Sequence, residues 1–207
     1  MREHPLIGQL RAARVVPVVR MKSAAHAATA VRWLYDAGLR IFEITMTIPD
    51  APSLIRDLSS DPALLVGAGT VPDVETAETC LRAGARFVVS PWVDPELVAP
   101  CRRAEAVLMS GATTPTEVRA AHRAGAQVVK VFPASSAGGP SHIRALRSVF
   151  PDIVFCPTGG VDPSNLGAYL SAGAAFVGMG GKLVDESLVA ANEQAAVMDV
   201  ARQILGH

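Results

Sequence analysis

Along the chain, short runs of apolar, mostly β-branched residues alternate with longer segments whose apolar residues recur every three or four positions. The first pattern is that of a buried strand and the second that of an amphipathic helix. It predicts strands at Val15–Val19, Leu39–Thr45, Leu64–Ala68, Phe87–Val89, Val107–Met109, Gln127–Val131, Ile153–Cys156 and Ala175–Gly178. It predicts helices at Ala24–Ala37, from Asp50 to Ser59, at Val74–Ala83, from Asp94-Pro95 onward, at Pro115–Ala124, Ser141–Val149 and Pro163–Ser171, and finally over Ser187–Leu205. Asp50 is expected to cap its helix, with Pro52 in the first turn. The last helix is rich in Ala and Val, as a helix framing an interface would be. Ser135 to Pro140 reads as a loop.

A short repeat supports this reading. Asp36-Ala37-Gly38, Arg82-Ala83-Gly84, Arg123-Ala124-Gly125 and Ser171-Ala172-Gly173 each stand between a helix and the next strand. Glycine suits the left-handed position that closes a helix. Eight strand–helix units in one chain of 207 residues fit a compact (β/α)8 TIM barrel, one domain over residues 1–207. An open doubly wound sheet would show a glycine-rich turn after its first strand. Here that strand runs into Arg20-Met21-Lys22 instead.

Composition narrows the function classes. Half the residues are hydrophobic and the formal net charge is zero, so a large core is available and no basic surface is forced. Nucleic acid is therefore not expected as a partner. No apolar run reaches membrane-spanning length, so no membrane partner is expected either. Met1-Arg2-Glu3-His4-Pro5 lacks the apolar core of a signal peptide. Cys80, Cys101 and Cys156 fit neither a disulfide framework nor a zinc spacing, which points to a reducing cytoplasm.

In a barrel the chemistry sits at the carboxyl ends of the strands. Alternation along the second strand turns Phe42 and Ile44 toward the helices and Glu43 inward. Along the sixth it turns Val129 and Val131 outward and Lys130 inward. An amine and a carboxylate then share one interior. A buried ion pair adds little to stability, so such a pair near the functional face points to chemistry. Thr158-Gly159-Gly160 follows the seventh strand and Gly180-Gly181 the eighth, where barrels often hold a phosphate. His26, His122 and His142 fall on helices and His4 and His207 at the termini, so no metal site is expected. Cys156 reads as core packing, and Trp92 and Met179 as pocket or subunit contacts.

These residues resemble the family of 2-keto-3-deoxy-6-phosphogluconate (KDPG) aldolases and 4-hydroxy-2-oxoglutarate (KHG) aldolases. The resemblance runs through Val16 to Val19, Phe42-Glu43-Ile44-Thr45, Gly67 to Val71, Lys130 to Ala134 and Phe155 to Val161. It implies a cytoplasmic, homotrimeric class I aldolase without metal or cofactor, whose substrate is a 2-keto acid phosphate. It implies Lys130 as the Schiff-base lysine and Glu43 as the proton shuttle. Thr70 and Thr158 would stand at the pyruvyl end, beside Arg20, Pro91 and Phe132. Gly159, Gly160, Gly180 and Gly181 would hold the phosphate. The implied reaction cleaves KDPG to pyruvate and glyceraldehyde 3-phosphate.

Two positions depart from the pattern. Gluconate enzymes of this kind usually carry an arginine four residues after the glutamate, and here that residue is Thr47. The related phosphogalactonate enzymes instead place an arginine at the end of the first strand, where this chain has Arg20. The Cys156-Pro157-Thr158 segment looks like the gluconate enzymes. Gly181-Lys182 stands near where some relatives place a serine on the phosphate. The alternatives are therefore an aldolase for phosphogalactonate or 4-hydroxy-2-oxoglutarate and, from a different class, a barrel that only binds phosphate.

Overall fold

The computed structural model describes residues 4–206. Met1, Arg2 and Glu3 of the segment inspected for a leader, and His207, lie outside the described residues. Eight parallel strands alternate with helices: β1 Val15–Val19, β2 Ile41–Thr45, β3 Leu65–Gly69, β4 Phe87–Ser90, β5 Val107–Ala112, β6 Val128–Val131, β7 Phe155–Pro157 and β8 Val177–Met179. Each strand pairs with its sequence neighbour, and β1 pairs with β8. A parallel bridge between Thr158 and Gly178 closes the ring between β7 and β8. The fold is a TIM barrel.

The helices of the outer ring are α2 Ala24–Asp36, α3 Ala51–Ser59, α4 Val74–Arg82, α5 Val98–Arg103, α6 Pro115–Ala124, α7 Gly139–Val149 and α8 Leu166–Ser171. Two more, α9 Glu186–Ala190 and α10 Gln194–Leu205, follow β8. The repeated glycine acts as predicted. Gly38, Gly84, Gly125 and Gly173 all have φ between 104° and 113°. After each, the next N–H reaches back to the helix, as Leu39 does to the Leu34 carbonyl and Ala85 to that of Cys80.

Four details differ from expectation. A helix, α1 Pro5–Ala13, precedes the first strand. Its Leu6, Ile7 and Leu10 are buried against inward residues of the strands, among them Val16, Phe87, Met109 and Val128, and against Phe176 just before β8. It plugs the amino-terminal end of the barrel. Asp50 does not cap α3: its backbone is left-handed (φ 51°), and its carboxylate accepts no helix N–H. The last helix is two, interrupted at Asn192, whose φ is 58°. Its apolar residues Val197, Ala201 and Ile204 are buried in this chain's own outer core. The helix expected to open at Pro163 starts at Leu166 and is six residues long. Asp162 instead folds Pro163, Ser164 and Asn165 into a turn ahead of the helix, accepting from the N–H groups of Ser164 and Asn165.

Burial follows the predicted alternation. Phe42, Ile44, Val129 and Val131 join the core between strands and helices. Ile41 and Val128 face the barrel axis. The interior is apolar at the α1 end and turns polar toward the carboxyl ends, where Glu43, Thr45, Lys130 and Thr158 are buried. That gradient places the polar groups where the loops open to solvent.

Candidate active site

Lys130 sits on β6 between Gly111 of β5 and Cys156 of β7 in register. Glu43 sits on β2 between Val18 of β1 and Gly67 of β3. These strands lie across the barrel from each other, so the two inward side chains meet over its axis. The Lys130 Nζ donates to Glu43 Oε1 at 3.2 Å. Lys130 is 5% exposed and Glu43 3%. Two charges this buried offset each other's desolvation only through that contact.

Small residues make the room. A Cβ at Gly69 would run into the Glu43 carboxylate, and one at Gly178 into the Thr158 hydroxyl. Gly111 lets the Pro91 backbone come close, and Pro91 faces the interior. These glycines were not recognised as part of the site from sequence. The signal was present: Gly67, Gly69, Gly111 and Gly178 all fall on inward positions, where a strand otherwise carries a side chain.

Above the ion pair a cavity of about 420 Å³ opens toward the loops. Lys130, Arg20, Thr70, Pro91, Phe132 and Thr158 line it, with the turns Gly159-Gly160 and Gly180-Gly181. Every predicted site residue except Glu43 is on this wall, and Glu43 touches it through Lys130. Val18, Val161 and Lys182 complete the lining. The Phe132 ring lies 5.7 Å from Lys130 Nζ.

Arg20 reaches from the end of β1 across to β3, where its Nη2 donates to the Thr70 hydroxyl at 2.9 Å. Thr47 has no such reach. The Thr45 hydroxyl donates to the Val19 carbonyl and shares a 2.7 Å hydrogen bond with the Thr47 hydroxyl. Since the Thr45 proton is committed to Val19, Thr47 is the donor in that pair.

The turn after β7 is pinned to the loop after β6. Ala134 N–H donates to the Thr158 carbonyl and Ser135 N–H to that of Gly159. Asn165 Nδ2 holds the Gly160 carbonyl at 2.9 Å. Gly159 and Gly160 adopt φ of 93° and 74°, which other residues rarely do. Among the described residues, no acceptor takes the N–H of Gly160, while Gly159 takes part in the Thr158 bridge to Gly178.

The remaining candidates lie outside this cavity. His26 contacts Glu186, His142 the Thr113 carbonyl, and His4 caps α1. Met179 is fully buried in the outer core, and Trp92 is half-exposed on the loop after β4. Burial pushes the Cys156 thiol up to about 12, despite the nearby Lys130 charge. Among the described residues no group of His, Cys, Asp and Glu side chains stands together as metal ligands would. No helix of the described residues is long and apolar enough to cross a membrane. A larger cleft of about 1000 Å³ lies at the opposite end, beside α1 and the starts of the strands. Its arginines Arg40, Arg86 and Arg102 are exposed, and Arg40 is already bonded to the Tyr35 and Leu39 carbonyls at the end of α2.

The comparisons with known proteins agree with this geometry. Residues 6–200 match the family model for KDPG and KHG aldolase. The 2-dehydro-3-deoxy-phosphogluconate aldolase of Pseudomonas aeruginosa is 36% identical over 196 residues, 94% of this chain and 89% of that protein. The KHG/KDPG aldolase of Escherichia coli is 30% identical over 190 residues, 91% of this chain and 89% of that protein. The structure is also similar to that of the KDPG aldolase from Legionella pneumophila with pyruvate captured as a covalent carbinolamine intermediate. That likeness has a TM-score of 0.87 and 31% identity, and covers 96% of this chain and 97% of the other. The chain belongs to the KDPG and KHG aldolase family of class I carbon–carbon lyases.

Proposed function

We propose that this protein cleaves 2-keto-3-deoxy-6-phosphogluconate to pyruvate and glyceraldehyde 3-phosphate through a Schiff base on Lys130. The observation that carries the reading is the buried Lys130–Glu43 pair at the floor of a cavity open at the carboxyl face. At 3.2 Å, Glu43 is within reach to accept the Lys130 proton and free the amine. Nζ then adds to the C2 keto carbon, and loss of water gives an iminium. Glu43, through a water, takes the C4 hydroxyl proton. The C4–O electrons form the aldehyde, and the C3–C4 pair moves to C3 to give an enamine. Protonation of C3 by Glu43 and hydrolysis of the iminium release pyruvate and restore the lysine.

Arg20, held by Thr70, is the group we assign to the pyruvyl carboxylate, which a guanidinium can bind with paired donors. Thr158 hydrogen-bonds at the same end. The Gly159-Gly160 turn, with the free N–H of Gly160, and the Gly180-Gly181 turn are assigned to the phosphate. Arg20 also supports a second reading, cleavage of the phosphogalactonate epimer, because Thr47 is engaged by Thr45 and supplies no carboxylate contact. Cleavage rates on KDPG, its galactonate epimer and 4-hydroxy-2-oxoglutarate test both. The gluconate is expected to have the highest kcat/KM; a higher value on the galactonate establishes the second reading. We assign a homotrimer, with half-exposed Trp92 as a contact; a monomer by light scattering would contradict it.

A further inference from the structure

We infer that Lys182 sets the preference of this enzyme for substrates with a distal phosphate over unphosphorylated 2-keto acids. This rests on the aldolase reading above and concerns the far end of the same cavity. Lys182 directly follows the Gly180-Gly181 turn and lines the cavity together with Gly159 and Gly160. It is exposed, and among the described residues it makes no direct ion pair. Its charge acts at longer range on Asp162 and Asp185. Neither carboxylate lies within ion-pair distance of the ammonium, and the Oδ1 of each is taken up locally, in Asp162 by Ser164 and Asn165 and in Asp185 by Ser187. Neither therefore locks the ammonium away from the cavity.

The rest of the wall gives this cation its meaning. Lys130 is held by Glu43 at the floor, and Arg20 by Thr70 on the β1–β3 side. Lys182 is the charged group beside the turns that follow β7 and β8. Asn165, on the carbonyl of Gly160, holds the β7 turn with the Gly160 N–H unused. A dianion there meets backbone donors from one side and an ammonium from the other. An unphosphorylated sugar acid meets the same donors with no charge to match the ammonium, so Lys182 acts on one substrate class only.

The test compares kcat/KM for 2-keto-3-deoxy-6-phosphogluconate and for unphosphorylated 2-keto-3-deoxygluconate in the wild type, Lys182→Gln and Lys182→Arg. Loss of one charge-assisted contact is expected to raise KM for the phosphorylated substrate in Lys182→Gln by about ten- to a hundredfold, mostly without change in kcat. The unphosphorylated substrate should be indifferent, and Lys182→Arg should recover most of the loss. Added salt should erode the wild-type preference more than that of Lys182→Gln, because an exposed charge is screened. A Lys182→Gln enzyme whose preference equals that of the wild type overturns the assignment of Lys182 alone. A wild type that cleaves neither these acids, nor their galactonate epimers, nor 4-hydroxy-2-oxoglutarate overturns the aldolase reading, and this inference with it.

Discussion

Gly69 stands where its missing Cβ would collide with the Glu43 carboxylate. The glycine and the glutamate lie on adjacent strands, with Thr45 and Gly69 in register. The absence of one side chain therefore creates the place of another. Gly69→Ala is expected to displace Glu43 from Lys130 and lower kcat by about a hundredfold, the cost of a misplacement near 1 Å. Gly8 on α1 is the matching control, since a Cβ there meets nothing. Gly8→Ala should keep full activity and raise stability by about 0.5–1 kcal/mol, the helix propensity difference. Equal activity of the two variants would remove the steric argument.

The proposed mechanism gives Glu43 two roles, base and ion-pair partner, that a single variant separates. Glu43→Gln keeps the shape and removes the base. Turnover should fall by about a hundredfold or more, the usual size of a general acid–base contribution. Pyruvate should still bind, so the loss should appear in kcat and not in KM. Stability should fall as well, because a buried charge left without its partner costs about 3–5 kcal/mol. Steady-state kinetics and a thermal melt on the same preparation check both.

Arg20 is predicted to hold the substrate carboxylate in place of the missing arginine at position 47. Arg20→Ala should raise the pyruvate concentration needed for half-maximal imine trapping by about tenfold or more, as loss of a charged hydrogen bond does. Arg20→Lys should recover little, since a lysine cannot offer paired donors. Thr47→Ala should leave the half-maximal concentration unchanged. A large effect at Thr47 with none at Arg20 would reverse the assignment.

The three cysteines give a prediction in pH. Burial lifts the Cys80 thiol to about 11 and those of Cys101 and Cys156 to about 12, from an ordinary value of 9.0. A folded-state value above the unfolded one means stability that is complete below pH 9.0 and is lost as pH rises through 11 to 12. The melting temperature should therefore begin to fall above pH 9.0, and less so when Cys101 is replaced by Ala. At neutral pH the folded protein should expose no thiol to a disulfide reagent, and the unfolded protein three.

What the sequence disclosed, and what it hid, follows from the range of the forces involved. The strands were readable because each is buried on both faces and so carries an apolar run. The inward direction of Glu43 and Lys130 followed from alternation alone. Helix α1 was missed because its three buried residues, Leu6, Ile7 and Leu10, make too short a stripe to stand out before the plugged barrel end is known. Asp50 has the right residue type for a cap, yet its left-handed backbone turns the carboxylate away from the helix. The site wall was readable strand by strand. The Lys130–Glu43 and Arg20–Thr70 contacts were not, because they join residues far apart in sequence whose meeting depends on barrel closure.

The central claim is that Lys130 is the nucleophile, and the composition makes it unusually easy to test. The chain has three lysines, Lys22, Lys130 and Lys182, and of these only Lys130 is buried. Pyruvate and borohydride are added together to the native protein, and the reduced adduct is located by peptide mapping. The account predicts one adduct, on Lys130, absent from a Lys130→Met variant whose fold is verified by circular dichroism. An adduct on Lys22 or Lys182, or full labelling of Lys130→Met, would contradict it.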